Sequence, residues 1–219
     1  MIYVHGTKVA LRIHHVEEVP LYRIEVNMTN KEDLITNIVD TEWKMFKNVP
    51  NIGGTAPCQE DYKTFEINRF SQAMSWSEAT LESYLGDLVE AEKNGRNLLT
   101  EKYGRMMKST SPLEYACIEH LIPPLATNVP PLIDQIVEIV LEWEEELSEK
   151  YPHIVKRGRP LRSSADTPFA TSLETYLRGE LATYSPKTLR RYYKNVLKQK
   201  SENKNGSEIT LNYMMKRYG

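Results

Sequence analysis

Phe65, Arg69, Gln72 and Trp76 are spaced i, i+4, i+7 and i+11, which places them on one helical face. Ile67, Phe70 and Met74 form an adjacent apolar face, so Arg69 and Gln72 are expected to turn inward among aromatic rings. A buried guanidinium must be paired, because stripping it of its partner costs about 3–5 kcal/mol. The functional reading is a clamp for an anion or carboxylate, which suits the planar fork of arginine. The alternative is an internal salt bridge, with Glu42 and Asp87 as candidate partners. Cys58 follows Pro57 and precedes a helix expected from about Glu60. A thiol at a helix N-terminus is stabilised as thiolate and suits a nucleophile or an acid/base group. The alternative for Cys58 is a small packing or capping residue. Tyr84 and Asp87 share a face of the next helix, with Ala91. Arg96, Leu99, Tyr103 and Met106 share a face after it, alongside Asn97 and Lys102. Arginine, aspartate and tyrosine brought together could hold an amine or carboxylate substrate and move a proton. A structural Arg96–Asp87 pair explains the same spacing.

These side chains are set by helices that the pattern marks out. Leu34, Ile35, Ile38, Val39 and Trp43 recur at intervals of three and four, and Thr29 with Glu32 fits a capping box. Pro50, Gly53, Gly54 and Pro57 break the chain into a loop. Further helices are expected at about residues 60–75, from Ser77 towards Gly95, and on to about Lys108. Another begins at Ser111-Pro112. Pro123-Pro124 and Pro130-Pro131 bracket a rigid connection before a long helix that ends near Tyr151. A basic, proline-containing loop spans 152–169. Thr171 with Glu174 caps a helix carrying Leu173, Tyr176, Leu177, Leu181 and Tyr184. Ser185-Pro186 opens a basic helix to about Lys200, and a polar linker leads to a short last helix. Residues 1–28 read differently: Val9, Leu11 and Ile13 alternate with Lys8, Arg12 and His14. They are expected to be an extension, either a short strand or tail or a stretch ahead of a true start at Met28. The domain division is therefore 1–28, a helical domain at 29–200, and 201–219. The fold class expected is all-α, a single-domain multi-helix bundle.

Composition narrows the chemistry. The net charge is −2 over 219 residues, which argues against a general polyanion binder. Two distant cysteines form no zinc spacing and suggest a reducing cytoplasm. Cys117 lies beside Ala116 and Ile118 and reads as packing. No apolar run is long enough to span a membrane. The glutamates at 142, 144, 145, 146 and 149 read as a solvated face, since di-iron bundles want Glu-x-x-His motifs and none occurs. No zinc, phosphate-loop or dinucleotide pattern is present, so no metal and no cofactor is expected. Lys187, Arg190, Arg191, Lys194, Lys198 and Lys200 flank Tyr192 and Tyr193, a mixture that can bind nucleic acid. The favoured reading is a surface helix docked through Leu189, Tyr193, Val196 and Leu197. It could also face the glutamate-rich helix, within the chain or across a homodimer.

Taken together, Glu42-Trp43-Lys44-Met45-Phe46, Cys58-Gln59, the Phe65/Arg69/Gln72/Trp76 face, Ser83-Tyr84, Asp87-Leu88, Gly95-Arg96-Asn97-Leu98, Lys102-Tyr103, Met106-Met107 and the run from Ser172 to Leu181 resemble a prokaryotic domain family of unknown function. The resemblance covers about residues 29–193. It implies a helical, cytoplasmic protein to which residues 1–27 are an addition, and it brings no reaction with it.

The expectation is a metal-independent lyase or group-transfer enzyme acting on a carboxylate-bearing metabolite between helices. Arg69, Gln72, Trp76, Tyr84, Arg96, Asn97 and Lys102 would bind the substrate. Glu42, Cys58, Asp87 and Tyr103 would supply the chemistry. The rival readings are a non-catalytic binding or regulatory module and a nucleic-acid binder using residues 186–200.

Overall fold

The computed structural model describes residues 31–51, 54–155 and 158–219. The alternating segment expected near the N-terminus and the Thr29 cap lie outside them. Among the described residues the architecture is all-α, without a sheet.

Helix α1 (Lys31–Lys47) buries Leu34, Ile35, Ile38, Val39, Met45 and Phe46, and Glu42 lies on that same face. Helix α2 (Tyr62–Met74) begins at the Asp61 cap, whose carboxylate accepts from the backbone N–H of Thr64. Helix α3 (Glu78–Lys93) starts at the expected Ser77 cap, and Gly95, with φ +66°, turns the chain towards α4 (Leu98–Thr110). Asn97 caps α4 through Thr100 and also donates to the Met45 carbonyl at 2.7 Å, so it ties α4 to α1. The short α5 (Pro112–Ile118) packs on α4 and buries none of its residues. Helix α6 (Val129–Lys150) takes Pro130 into its first turn, where a missing N–H costs nothing. The second proline pair is therefore part of a helix start, not the end of a connection.

The segment 152–169, expected as loop throughout, holds α7 (Pro152–Val155) and a 3-10 turn at Ser163–Ala165. Helix α8 (Leu173–Leu181) is capped by Ser172, one residue after the Thr171 expected. Glu174 was meant to complete that cap. It instead accepts from the backbone N–H of Ser163 at 2.9 Å and pairs with Arg178. Helix α9 (Pro186–Ser201) starts at Ser185 as expected. It docks through Leu189, Tyr192 and Val196. Tyr193 is only half-buried and Leu197 is exposed, so the inward stripe is rotated from the expected one.

Helix α1 packs on α2, α3 and α4; α4 on α8; α3 on α9; and α6 on α8 and α9. The last helix, α10 (Gly206–Tyr218), lies across α2 and α6 and buries only Gly206. Gly206 fits beneath Trp143: a β-carbon there would meet the indole at 2.7 Å. Polar contacts hold the rest. Asn205 donates to the Trp143 carbonyl and to Glu146 at 2.9 Å each, Glu208 pairs with Lys150, and Arg217 pairs with Glu66.

Candidate functional site

The inward face of α2 carries Arg69, as its spacing required, and every nitrogen of its guanidinium is engaged. The Nε atom donates to Glu42 Oε2 at 2.8 Å, and Nη2 donates to Glu42 Oε1. Nη1 donates to Gln72 Oε1 at 2.6 Å and to both Glu180 oxygens at 3.0 and 3.1 Å. The carboxylates are as crowded. Glu42 also accepts from the Tyr84 hydroxyl at 2.7 Å. Glu180 also accepts from Lys102 Nζ at 2.7 Å, Tyr184 at 2.9 Å and Gln72 at 3.1 Å. Glu42, Arg69, Lys102 and Glu180 are all buried, and their formal charges cancel.

Burial pushes the Glu180 carboxyl up, but Arg69 and Lys102 more than reverse this and hold it well below the usual carboxylate range. Burial alone would lower Arg69; Glu180 and Glu42 outweigh that and keep it charged. Burial, and then the neighbouring carboxylate, drives the Tyr84 and Tyr184 phenols well above their ordinary value. This is the internal salt bridge foreseen as the alternative for Arg69. Glu42 is one of its two acidic partners. Asp87 is not a partner of Arg69; it accepts from the Ser185 backbone N–H at 2.9 Å and joins α3 to the start of α9.

The network is also a wall. A cavity of about 860 Å³ runs between α2, α4, α6, α8 and α10, and Arg69, Gln72, Lys102 and Glu180 are among its lining residues. Phe46, Phe65, Tyr103, Tyr176, Cys58 and Arg159 are lining residues too. Phe46 stacks on Phe65 with centroids 5.1 Å apart and meets Tyr103 at 6.1 Å. Lys102 Nζ lies 3.5 Å from the Tyr176 ring centroid, and the Arg159 guanidinium lies 4.8 Å from it. Arg159 donates to the Thr171 carbonyl at 3.2 Å and forms no ion pair among the described residues. Burial raises the Tyr103 phenol above its usual value, so it is protonated at neutral pH. Cys58 is exposed and sits in a 3-10 turn at Pro57–Gln59, so the α-helix N-terminus expected to activate it is absent. The neighbouring Gln59 is the structural member of the pair: it is buried and bonds the Phe46 and Val49 carbonyls at 2.7 and 3.0 Å.

Glu42, Trp76, Tyr84, Asp87, Arg96 and Asn97 do not line this cavity. Trp76 packs against Tyr84, Tyr184 and Tyr192 in the core. Arg96 forks onto Glu101 at 2.8 and 2.7 Å with its side chain partly in solvent. Asp87 adds only to the surrounding field, so the Arg96–Asp87 pair is replaced. Of the candidates, then, Cys58, Arg69, Gln72, Lys102 and Tyr103 meet at one cavity.

Glu180 and Arg159 stand outside the candidates read from the sequence. Tyr176, Glu180 and Tyr184 are spaced i, i+4 and i+8, the same signal that exposed Arg69. Arg159 lies outside any helix and offers no such signal. The glutamates of α6 separate: Glu142 pairs with Lys200, Glu145 with Arg162, and Glu146 accepts from Asn205. Thus α9 meets the acidic helix within the chain. No group of three or more histidine, cysteine, aspartate or glutamate residues among those described could hold a metal ion, and no described helix is long and apolar enough to cross a membrane.

Comparison with curated proteins and with solved structures gives no match. A family model does match, over residues 32–219, and so takes in the face of α1, the α2 arginine, the α8 glutamate and the closing helix α10. The chain belongs to the family described as Protein of unknown function (DUF4125).

Proposed function

We propose that the chain binds a small, carboxylate-bearing metabolite in the inter-helix cavity. The observation that carries this reading is Arg159: an exposed guanidinium that lines the cavity, over an aromatic ring, with no ion pair among the described residues. Arg69 is saturated, so the anion site lies at Arg159 and not at the arginine that the helical spacing singled out. The volume falls within the ~300–1,000 Å³ common for ligand sites, and the aromatic walls offer apolar area around few polar groups. Lys102 and Tyr103 line the same cavity, and Lys102 lies over the same Tyr176 ring as Arg159. A protonated Tyr103 can donate a proton to a developing anion, the role it would fill in a metal-independent lyase or group-transfer reaction.

A thermal-shift screen of the full chain against carboxylate metabolites tests the reading. A ligand at a hundredfold excess over Kd stabilises by about 2.7 kcal/mol, and Arg159→Ala is expected to remove the shift. A hit whose shift survives Arg159→Ala defeats the assignment. The second reading, a binding or regulatory module without turnover, is favoured by the closed Glu42–Arg69–Glu180 network, which leaves no carboxylate there free to act as a base. Incubating the hit with the protein and following its mass separates the two: conversion that Tyr103→Phe abolishes supports catalysis, and an unchanged ligand supports the binding module.

A further inference from the structure

The cavity has a second unmatched charge. Glu144, on α6, also lines the cavity, together with Ser148 of α6 and Ser207 and Thr210 of α10. Glu142 and Glu145 pair with Lys200 and Arg162, and Glu146 accepts from Asn205; Glu144 forms no ion pair among the described residues, and unlike the exposed Glu149 it lines the cavity. It is half-buried, and the Ser207 hydroxyl is the group beside it. Burial raises its carboxyl above the ordinary value, the signature of an anion short of compensating charge. Asp61 also lines the cavity and forms no ion pair among the described residues, but it is committed to the backbone N–H of Thr64 as the cap of α2. The indole of Trp143 belongs to the same wall, and aromatic rings beside a carboxylate favour ammonium groups.

We infer that the ligand is bipolar: Glu144 receives an ammonium group of the same small molecule whose carboxylate is held at Arg159. This rests on the carboxylate-binding reading above and narrows it to amino-carboxylate compounds. These two charges of opposite sign, on different elements but lining one cavity, have no ion-pair partner among the described residues, and one such molecule would supply both. A dicarboxylate would set like charge against Glu144, which costs affinity instead of adding it.

The test is calorimetric titration of the full chain with three straight-chain series of matched lengths: n-alkyl monocarboxylates, ω-amino carboxylates and n-alkylamines. The expected result is that, at one or more lengths, the ω-amino carboxylate binds about tenfold tighter than the monocarboxylate, or about 1.4 kcal/mol. Glu144→Gln keeps the shape and removes the charge, and should bring that ratio to about one while leaving monocarboxylate binding intact. Retained monocarboxylate binding also shows that the variant is folded. Monocarboxylates that bind as tightly as the amino carboxylates overturn the inference and leave the Arg159 site standing. So does a preference that persists in Glu144→Gln. Alkylamines that bind the wild type but not Glu144→Gln, with no carboxylate bound, uphold Glu144 and overturn Arg159. Binding of no probe overturns both.

Discussion

Replacing Arg69 by methionine keeps much of the side chain's bulk but leaves Glu42 and Glu180 buried without their shared guanidinium. The expected loss is about 3–5 kcal/mol of unfolding free energy, measured by urea denaturation. Arg96→Ala removes a fork of the same geometry whose side chain is 43% exposed but whose partner Glu101 is buried, and should cost less, about 1–2 kcal/mol. Near-equal losses would show that the buried network is not the stronger. Glu180 adds a pH dependence with a definite sign. Its folded carboxyl lies below the unfolded value near ~4.3, so its contribution is full above that value and is lost as pH falls below it. The stability of the wild type should therefore drop between about pH 4 and 2 more steeply than that of Glu180→Gln. Parallel pH profiles would mean that Glu180 is not held ionised. At this scale the sequence was half legible. Burial cost required Arg69 to have a partner and pointed to Glu42. Glu180, 111 residues away, needed the same face-reading applied to α8.

Helices α4 and α8 must approach closely for Lys102 to reach Glu180, and Gly179 permits it. A β-carbon there would meet Met106 Cγ at 2.8 Å and the Lys102 carbonyl oxygen at 3.0 Å. Gly179→Ala should destabilise by about 1–3 kcal/mol despite the better helix propensity of alanine. Gly86, in the middle of α3, is exposed, and nothing lies within 4 Å of its β-position, so Gly86→Ala should stabilise by roughly 0.5–1 kcal/mol. Denaturant midpoints moving in opposite directions check both. The element boundaries were legible where a cap acts locally, as at Ser77 and Ser185, each of which accepts from a backbone N–H three residues on. They failed where a distant group competes. The cap on α8 moved to Ser172 as Glu174 turned to Ser163. The inward stripe of α9 could not be separated from its neighbour because Tyr192 and Tyr193 fit either register in sequence; packing against Trp76 selects Tyr192.

For the molecule as a whole, an all-α bundle followed from periodicity, but the path of the chain did not. Nothing in a polar linker announces that α10 returns to α2. Yet Arg217 pairs with Glu66 across 151 residues of sequence and lies 4.1 Å from the Phe70 ring. That return has a kinetic meaning. Contacts so distant in sequence form only after a large loop has closed, and α10 contributes a single buried residue to reward it. Its docking belongs on the native side of the folding barrier. Arg217→Ala should therefore speed unfolding by about fivefold, for a loss of about 1 kcal/mol, while leaving the refolding rate unchanged in stopped-flow measurements. Slower refolding would place α10 in the folding nucleus instead. Since α10 supplies one wall of the cavity, the pocket exists only once the barrier has been crossed. Any molecule held there would act as a brake on unfolding and have no effect on the speed of folding.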